Sequence, residues 1–278
     1  MHMKALLLAS RPKTLLVSLC CWSSVSSFAY SQGSISFHLS LWALLLCLLL
    51  QIWSNWVNDY LDFLNGIDHP LRQGPVRLTK MLTPSFMKMA LMMLFFFIIA
   101  LSCYFQSLLI LLMVLGLVGI AWYYSACLGL AGEWLTFFAC GPLATYLLSL
   151  IYHMPYLHSD LLLISMVNGS WSAAVLMANN IRDRISDTCS PKKSTCVWFG
   201  SKWAIMEYQI FMMICVWCLF YWFILRMSFA CFILNLLFIP YALKLCTLSM
   251  RNSSSLLLPT LRFGFRYSIL LALCAFIT

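Results

Sequence analysis

Nine runs of mostly apolar residues, each close to the roughly 20 that a helix needs to cross a bilayer core, leave this chain few ways to fold. They lie near residues 14–30, 39–57, 86–105, 108–124, 133–152, 161–178, 203–225, 228–245 and 263–278. Backbone polar groups need internal partners in lipid, and the period-two alternation of membrane strands is missing, so the runs predict an all-α bundle. Composition agrees: 63% of residues are hydrophobic, 9% are charged and the mean hydropathy is +0.91. Soluble domains do not reach that balance. The expectation is a polytopic membrane protein of about nine transmembrane helices, with residues 1–278 forming one transmembrane domain. The longest polar segments, near 58–85 and 179–202, are too short to form a second.

Basic residues orient the bundle. With nine spans and a cytoplasmic N-terminus, the inside segments hold Lys4, Arg11 and Lys13; Arg72, Arg77, Lys80 and Lys88; Arg182, Arg184, Lys192, Lys193 and Lys202; and Lys244, Arg251, Arg262 and Arg266. The outside segments hold only Arg226. Sixteen against one is the positive-inside asymmetry, and merging or splitting one span scrambles it. The net charge of +9 therefore reads as topology and contact with the anionic headgroups of a lipid bilayer; nucleic acid is not implied.

The start "MHMKALLLASRPK" has an apolar run of only five residues, too short for a cleavable signal, and reads as an interfacial lead-in with Pro12 at a helix start. Most of the 13 cysteines fall inside apolar spans, where a thiol behaves as a small hydrophobe. Cys215 and Cys218 have C-x-x-C spacing but no second pair, which argues against zinc. His153, His158 and Asp160 read as a solvated outside turn.

The acidic residues are less evenly spread. Of only eight, five lie in two short stretches: Asp59, Asp62 and Asp68 in "NDYLDFLNGIDHP", and Asp183 and Asp187 in "ANNIRDRISDTCSPKKST". Each stretch begins where an apolar span ends, and the topology brings both spans, the second and the sixth, to the same membrane face. Asp62 and Asp183 each follow the second helix of a four-helix unit, which raises an internal four-helix repeat. Asn58 and Asp62 are i and i+4, and Asn179, Asp183 and Asp187 form i, i+4, i+8, so each set shares a helix face. Two oxygen-rich faces at helix C-termini attract hard divalent cations. Mg2+ takes one or two carboxylates and leaves its other positions to water and phosphate oxygens. The neighbouring Arg72, Arg77, Lys80, Arg182, Arg184, Lys192 and Lys193 supply the cations that a diphosphate needs.

These motifs resemble those of the UbiA superfamily of intramembrane aromatic prenyltransferases. "NDYLDFLNGID" followed by "RQGPVR" is similar to the first aspartate-rich motif of the family, and "NNIRDRISD" to the second. More narrowly, "RPKTL" at residues 11–15, "NDYLDF…GID", "RxGPxR" and "NNIRD", in order along nearly the whole chain, resemble the menaquinone branch, the 1,4-dihydroxy-2-naphthoate polyprenyltransferases. The resemblance implies Mg2+-dependent transfer of a polyprenyl group from a polyprenyl diphosphate to an aromatic acceptor, with decarboxylation of the naphthoate to give demethylmenaquinol. It also implies a bacterial inner membrane, with the active site facing the cytoplasm. Asn58, Asp62, Asp183 and Asp187 match the metal-holding positions, with Asp59 and Asp68 in support; Asp62, Asp183 and Arg182 are the candidate catalytic residues. Arg72 and Arg77 match positions near the diphosphate, Arg11 and Lys13 the first-helix motif, and Lys192 and Lys193 a phosphate-binding run. Two features depart from the family pattern: Pro191 stands where a G-K-x-T run has glycine, and "WYYSACLGLAGE" is a shortened loop in which Tyr123, Tyr124 and Glu133 are candidate pocket residues.

The physical chemistry of the two clusters runs parallel. Metal and Arg/Lys neutralise charge on a leaving diphosphate, and a water-excluding bundle protects the allylic cation until the ring attacks. The rival class is a transporter or quinone-binding subunit. Transporters place ionisable groups near mid-depth beside broken helices, whereas these clusters sit at one face and Asn168-Gly169 is the main polar interruption in between. Within the enzyme class, 4-hydroxybenzoate or another naphthoate isomer remains an alternative acceptor, and the oligomeric state is not encoded in any feature noted.

Overall fold

A computed structural model describes residues 2–67, 82–127, 129, 131–155, 158–225, 233, 236, 238–251 and 255–277. The lead-in forms α1 (His2–Ala9), followed by α2 (Pro12–Ser31), α3 (Phe37–Leu64), α4 (Pro84–Tyr104) and α5 (Leu108–Ala126). Next come α6 (Gly132–Phe138), a π-helical turn (Ala139–Leu143) and α7 (Ala144–Ile151), which together make one span. The chain continues through α8 (Ser159–Thr188), α9 (Thr195–Trp198), α10 (Gly200–Leu225), α11 (Phe238–Met250) and α12 (Leu257–Ile277). Among the described residues, eight helical segments are long and apolar enough to cross a membrane, and α11 is a shorter apolar helix. The span expected at 228–245 overlaps α11 and otherwise falls mainly outside the described residues, as do Asp68, Arg72, Arg77 and Lys80.

Helix starts follow local chemistry. The side chains of Ser36, Thr83 and Ser107 accept from Leu39 N, Phe86 N and Ile110 N, each satisfying an orphan donor of a first turn. Pro12 and Pro84 occupy first-turn positions, where a missing N–H costs little. Pro142 lies inside the π turn; a proline cannot donate the helical bond, and the widened turn absorbs the defect.

Two helices outrun the spans read from hydropathy. The apolar run near 39–57 stops short of the first acidic cluster, yet α3 continues to Leu64; α8 likewise runs ten residues past Ala178. Both i, i+4 sets therefore lie on continuous helix. α8 is the central element: 78% of its apolar window is buried, against 22–50% for the other spans. It meets the α6–π segment at two glycines, where a Cβ on Gly169 would lie 2.6 Å from Phe137 O and one on Gly141 2.6 Å from Ser165 O. Small residues of this kind let membrane helices approach backbone to backbone. Asn168 is satisfied internally, donating to Ser24 Oγ (3.0 Å) while its Oδ1 accepts from Tyr267 Oη (2.8 Å), so the mid-depth polar interruption is interhelical glue.

Apolar side chains form two clusters. One gathers α2, α3, α4, α5 and α7; the other gathers α2, α6, α8, α10, α11 and α12. The two long helices α3 and α8 each anchor one cluster and carry one acidic motif. A 30-residue α8 is about 45 Å long, enough to put its ends on opposite sides of a bilayer. With the exposed native thiols Cys103 and Cys189 and the remaining cysteines replaced, Lys193→Cys is expected to label from the cytoplasm and Ser159→Cys only from outside. Labelling of both from one side contradicts the topology.

Candidate active site

The first half of the site is built where the α1–α2 turn docks on α3. Asn55 Nδ2 donates to Ser10 O (2.9 Å) and Trp56 Nε1 to Ser10 Oγ (3.1 Å), fixing the turn. The next residue, Arg11, has a left-handed backbone at φ 48°, a conformation that costs a side-chain-bearing residue on the order of 1–2 kcal/mol. The strain is offset by what it aims: Arg11 Nη2 donates to Asn58 Oδ1 at 2.8 Å and pairs with Asp59 Oδ1 at 2.5 Å. Asn58 Nδ2 in turn reaches Asp62 Oδ1 at 3.5 Å, across one helical turn. Asp59 and Asp62 are both buried, at 5% and 3% exposure.

The second half lies on the last turns of α8. Arg182 forks onto its neighbour Asp183 through Nε (2.7 Å) and Nη2 (2.6 Å). Lys192 Nζ lies 3.1 Å from Asp187 Oδ2, and all but 8% of that lysine side chain is buried. The segment between them is a tight turn, with Ser190 Oγ donating to Asp187 O and accepting from Lys192 N. Ser194 is fully buried, and its hydroxyl has no hydrogen-bond partner among the described residues. On α9, outside the spans, burial pushes the Cys196 thiol up to about 11, so it stays protonated and is no nucleophile.

One cavity joins the halves. It measures about 200 Å3 and is lined by Asn58 of the first motif, Asn179 of the second, Arg11 and Tyr124. Deeper in the bundle its walls are Val17, Leu117, Leu147 and Val175, with a polar rib of Ser18 and Gln51, whose side chains hydrogen-bond at 3.3 Å. Tyr124 lies within electrostatic reach of Asp62, Asp187 and Arg11 together. The polar lining is thus amide, hydroxyl and guanidinium, with the motif carboxylates flanking it on α3 and α8, and the rest is largely apolar: a container for an anionic head on a hydrocarbon tail.

Asn58, Asp62, Asp183 and Asp187 offer only hard oxygen donors, which fits a divalent cation such as Mg2+. Among the described residues no three His, Cys, Asp or Glu side chains converge to hold an ion by themselves.

The sequence profile of the UbiA prenyltransferase family matches residues 16–270, nearly the whole chain. The chain belongs to that family. A UbiA homolog from Archaeoglobus fulgidus bound to GPP and Mg2+ is similar over 99% of this chain and 100% of its own, with 17% identity and a TM-score of 0.72. The same homolog bound to DMAPP and Mg2+ gives 98% coverage of both chains, 19% identity and a TM-score of 0.71. At these identities the likeness establishes the fold alone. No curated protein matches the chain.

Within this UbiA fold, adjacent candidates separate. Arg11 and Tyr124 face the cavity, while Lys13, Tyr123 and Lys193 are exposed. Successive helical residues turn by about 100°, so Tyr123 and Tyr124 cannot both point inward. Lys192 is buried at Asp187, and its neighbour Lys193 is not. Glu133, expected at the pocket, stands behind it: the side chain is fully buried, accepting from Asn180 Nδ2 (2.6 Å) and Thr195 Oγ1 (2.9 Å). The cavity rib of Ser18 and Gln51, and the buried Glu207 on α10, were not singled out from the sequence. Glu207 carried a legible signal, being an ionisable residue inside an apolar span.

Proposed function

We propose that this UbiA-family protein transfers a prenyl group from a polyprenyl diphosphate to an aromatic acceptor, 1,4-dihydroxy-2-naphthoate, at the cytoplasmic end of the bundle in a bacterial inner membrane. The observation that carries the reading is that one cavity is lined by Asn58, Asn179 and Arg11 together. The Archaeoglobus fulgidus homolog, bound to GPP or DMAPP together with Mg2+, supports the same substrate class and cofactor.

Asp62, Asp183 and Asp187, with Asn58, are the residues to hold Mg2+, which when bound neutralises charge on the diphosphate oxygens. Arg182 and Lys192, now paired with Asp183 and Asp187, are within reach of phosphate oxygens brought to those carboxylates, and Arg forks onto such groups. Arg11 keeps Asn58 and Asp59 oriented. As the allylic C–O bond breaks, its electron pair leaves with the diphosphate and these cations stabilise the charge that develops. The apolar walls keep water from the allylic cation. Attack by the ring carbon that bears the carboxylate forms the new C–C bond and expels CO2, leaving a prenylated naphthoquinol.

Membranes containing the protein, supplied with a polyprenyl diphosphate, Mg2+ and a panel of aromatic acceptors, are expected to yield that naphthoquinol, identified by mass. Prenylation of 4-hydroxybenzoate alone defeats the naphthoate assignment; no prenylated ring with any acceptor defeats the enzyme reading.

A further inference from the structure

Eight acidic residues are present in the chain, and Glu133 is neither on an aspartate motif nor on the cavity wall. It opens α6 with a fully buried side chain, and no described cation pairs with it. Burying a carboxylate without a counterion is unfavourable unless hydrogen bonds satisfy it. Both oxygens are used: Oε1 accepts from Asn180 of α8 at 2.6 Å, and Oε2 from Thr195 of α9 at 2.9 Å.

The two donors belong to different parts of the site. Asn180 follows the cavity residue Asn179 and precedes Asp183 by three positions on the same helix. Thr195 follows Lys192 by three positions and begins α9. Lys192 therefore hangs from a short segment tied at one end by Asp187 and at the other by Thr195. The turn before Glu133 is pressed against the same parts: a Cβ on Gly132 would lie 2.2 Å from Tyr124 Cε2, and one on Gly129 3.7 Å from Lys192 Cε. The shortened "GLAGE" loop is thus the joint where the wall residue Tyr124, the second aspartate motif and the phosphate lysine meet.

We infer that Glu133 is a positioning residue which, through one carboxylate, holds the Asn179–Asp183 turn and the Lys192 segment in a fixed mutual register. This inference rests on the prenyl diphosphate reading above. Its two arms make separable demands. The Asn180 arm governs where Asp183 presents its oxygens to Mg2+, and the Thr195 arm governs where Lys192 meets the diphosphate.

The test is equilibrium binding of geranyl S-thiolodiphosphate, a substrate analogue that resists ionisation, to purified protein at a series of Mg2+ concentrations. Thr195→Val, nearly isosteric, is expected to weaken analogue binding about five- to tenfold at saturating Mg2+, the loss appropriate to one ordinary buried hydrogen bond, with the Mg2+ midpoint unchanged. Asn180→Leu is expected to raise the Mg2+ midpoint, and Glu133→Ala to do both. Glu133→Gln is expected to restore most of what alanine loses, because the Thr195 hydroxyl can rotate to accept from the new amide. Wild-type binding in Thr195→Val, or in a monodisperse Glu133→Ala, overturns the inference; Thr195→Val decides if Glu133→Ala does not fold. Wild-type protein that binds the analogue but prenylates no ring defeats the functional reading and leaves Glu133 in its role, while wild-type protein that does not bind it defeats the diphosphate site itself.

Discussion

Asp62→Ala and Asp183→Ala are each expected to lower kcat/KM by about a thousandfold or more, the scale seen when a preorganised electrostatic contact to developing charge is removed. The two residues sit on different helices, α3 and α8, buried to 3% and 7% exposure, yet the asparagines one turn before them, Asn58 and Asn179, line the same cavity. Neither loss is expected to be recovered by raising Mg2+, since one of the four metal-holding side chains is gone in either variant. Asp183→Ala also strips the fork from Arg182, leaving that guanidinium to find another partner. Removing both aspartates is expected to cost little more than removing one, because residues that act as a unit are strongly non-additive. Initial rates of the two single variants and the double variant, in membranes with matched protein levels, check this. Additive losses mean two independent sites.

Gly169→Ala is expected to destabilise the fold by about 1–3 kcal/mol, the range for overpacking a tight interior. The sign is informative, because in an open helix interior the same change is favourable by roughly 0.5–1 kcal/mol. At Gly169 the new methyl would stand 2.6 Å from Phe137 O and 3.2 Å from Gly141 Cα. Both neighbours are backbone and cannot swing aside. Gly116 on α5 has nothing within 4 Å of such a Cβ, so Gly116→Ala is expected to hold or raise the melting temperature in detergent while Gly169→Ala lowers it. Activity is expected to suffer with stability, because Asn179 and Asp183 ride on the helix that Gly169 seats. Equal melting temperatures for the two variants contradict the close packing of α8 on the α6–π segment.

Hydropathy alone made the bundle legible, because lipid admits few alternatives to helices and the apolar runs have the length of a bilayer. It misplaced the ends of α3 and α8 for a physical reason: Asp59, Asp62, Asp183 and Asp187 are polar residues buried inside the protein, so the helix outlasts the apolar pattern. The aspartate faces were readable because i, i+4 spacing survives any uncertainty in boundaries. Lys13 and Tyr123 illustrate the limit, since a motif names neighbours without fixing which way each points: Arg11 and Tyr124 face the cavity while these two are exposed, and in the turn after α8 Lys192 is buried while Lys193 is exposed. The Glu133–Asn180–Thr195 joint was beyond pattern reading because its members are 47 and 62 positions apart and have no shared period. Its place in the shortened loop marked Glu133 in advance as a candidate pocket residue, without its partners.

That the two motifs share one divalent cation site can be tested by replacing Mg2+ with Fe2+ in the purified protein, with a prenyl diphosphate and ascorbate, and mapping backbone cleavage by mass. Radicals formed at the metal cut the chain within a few ångströms, so the expected result is cleavage near both Asp62 and Asp183, suppressed together by excess Mg2+. Cuts confined to one motif, or cuts insensitive to Mg2+, contradict a shared site.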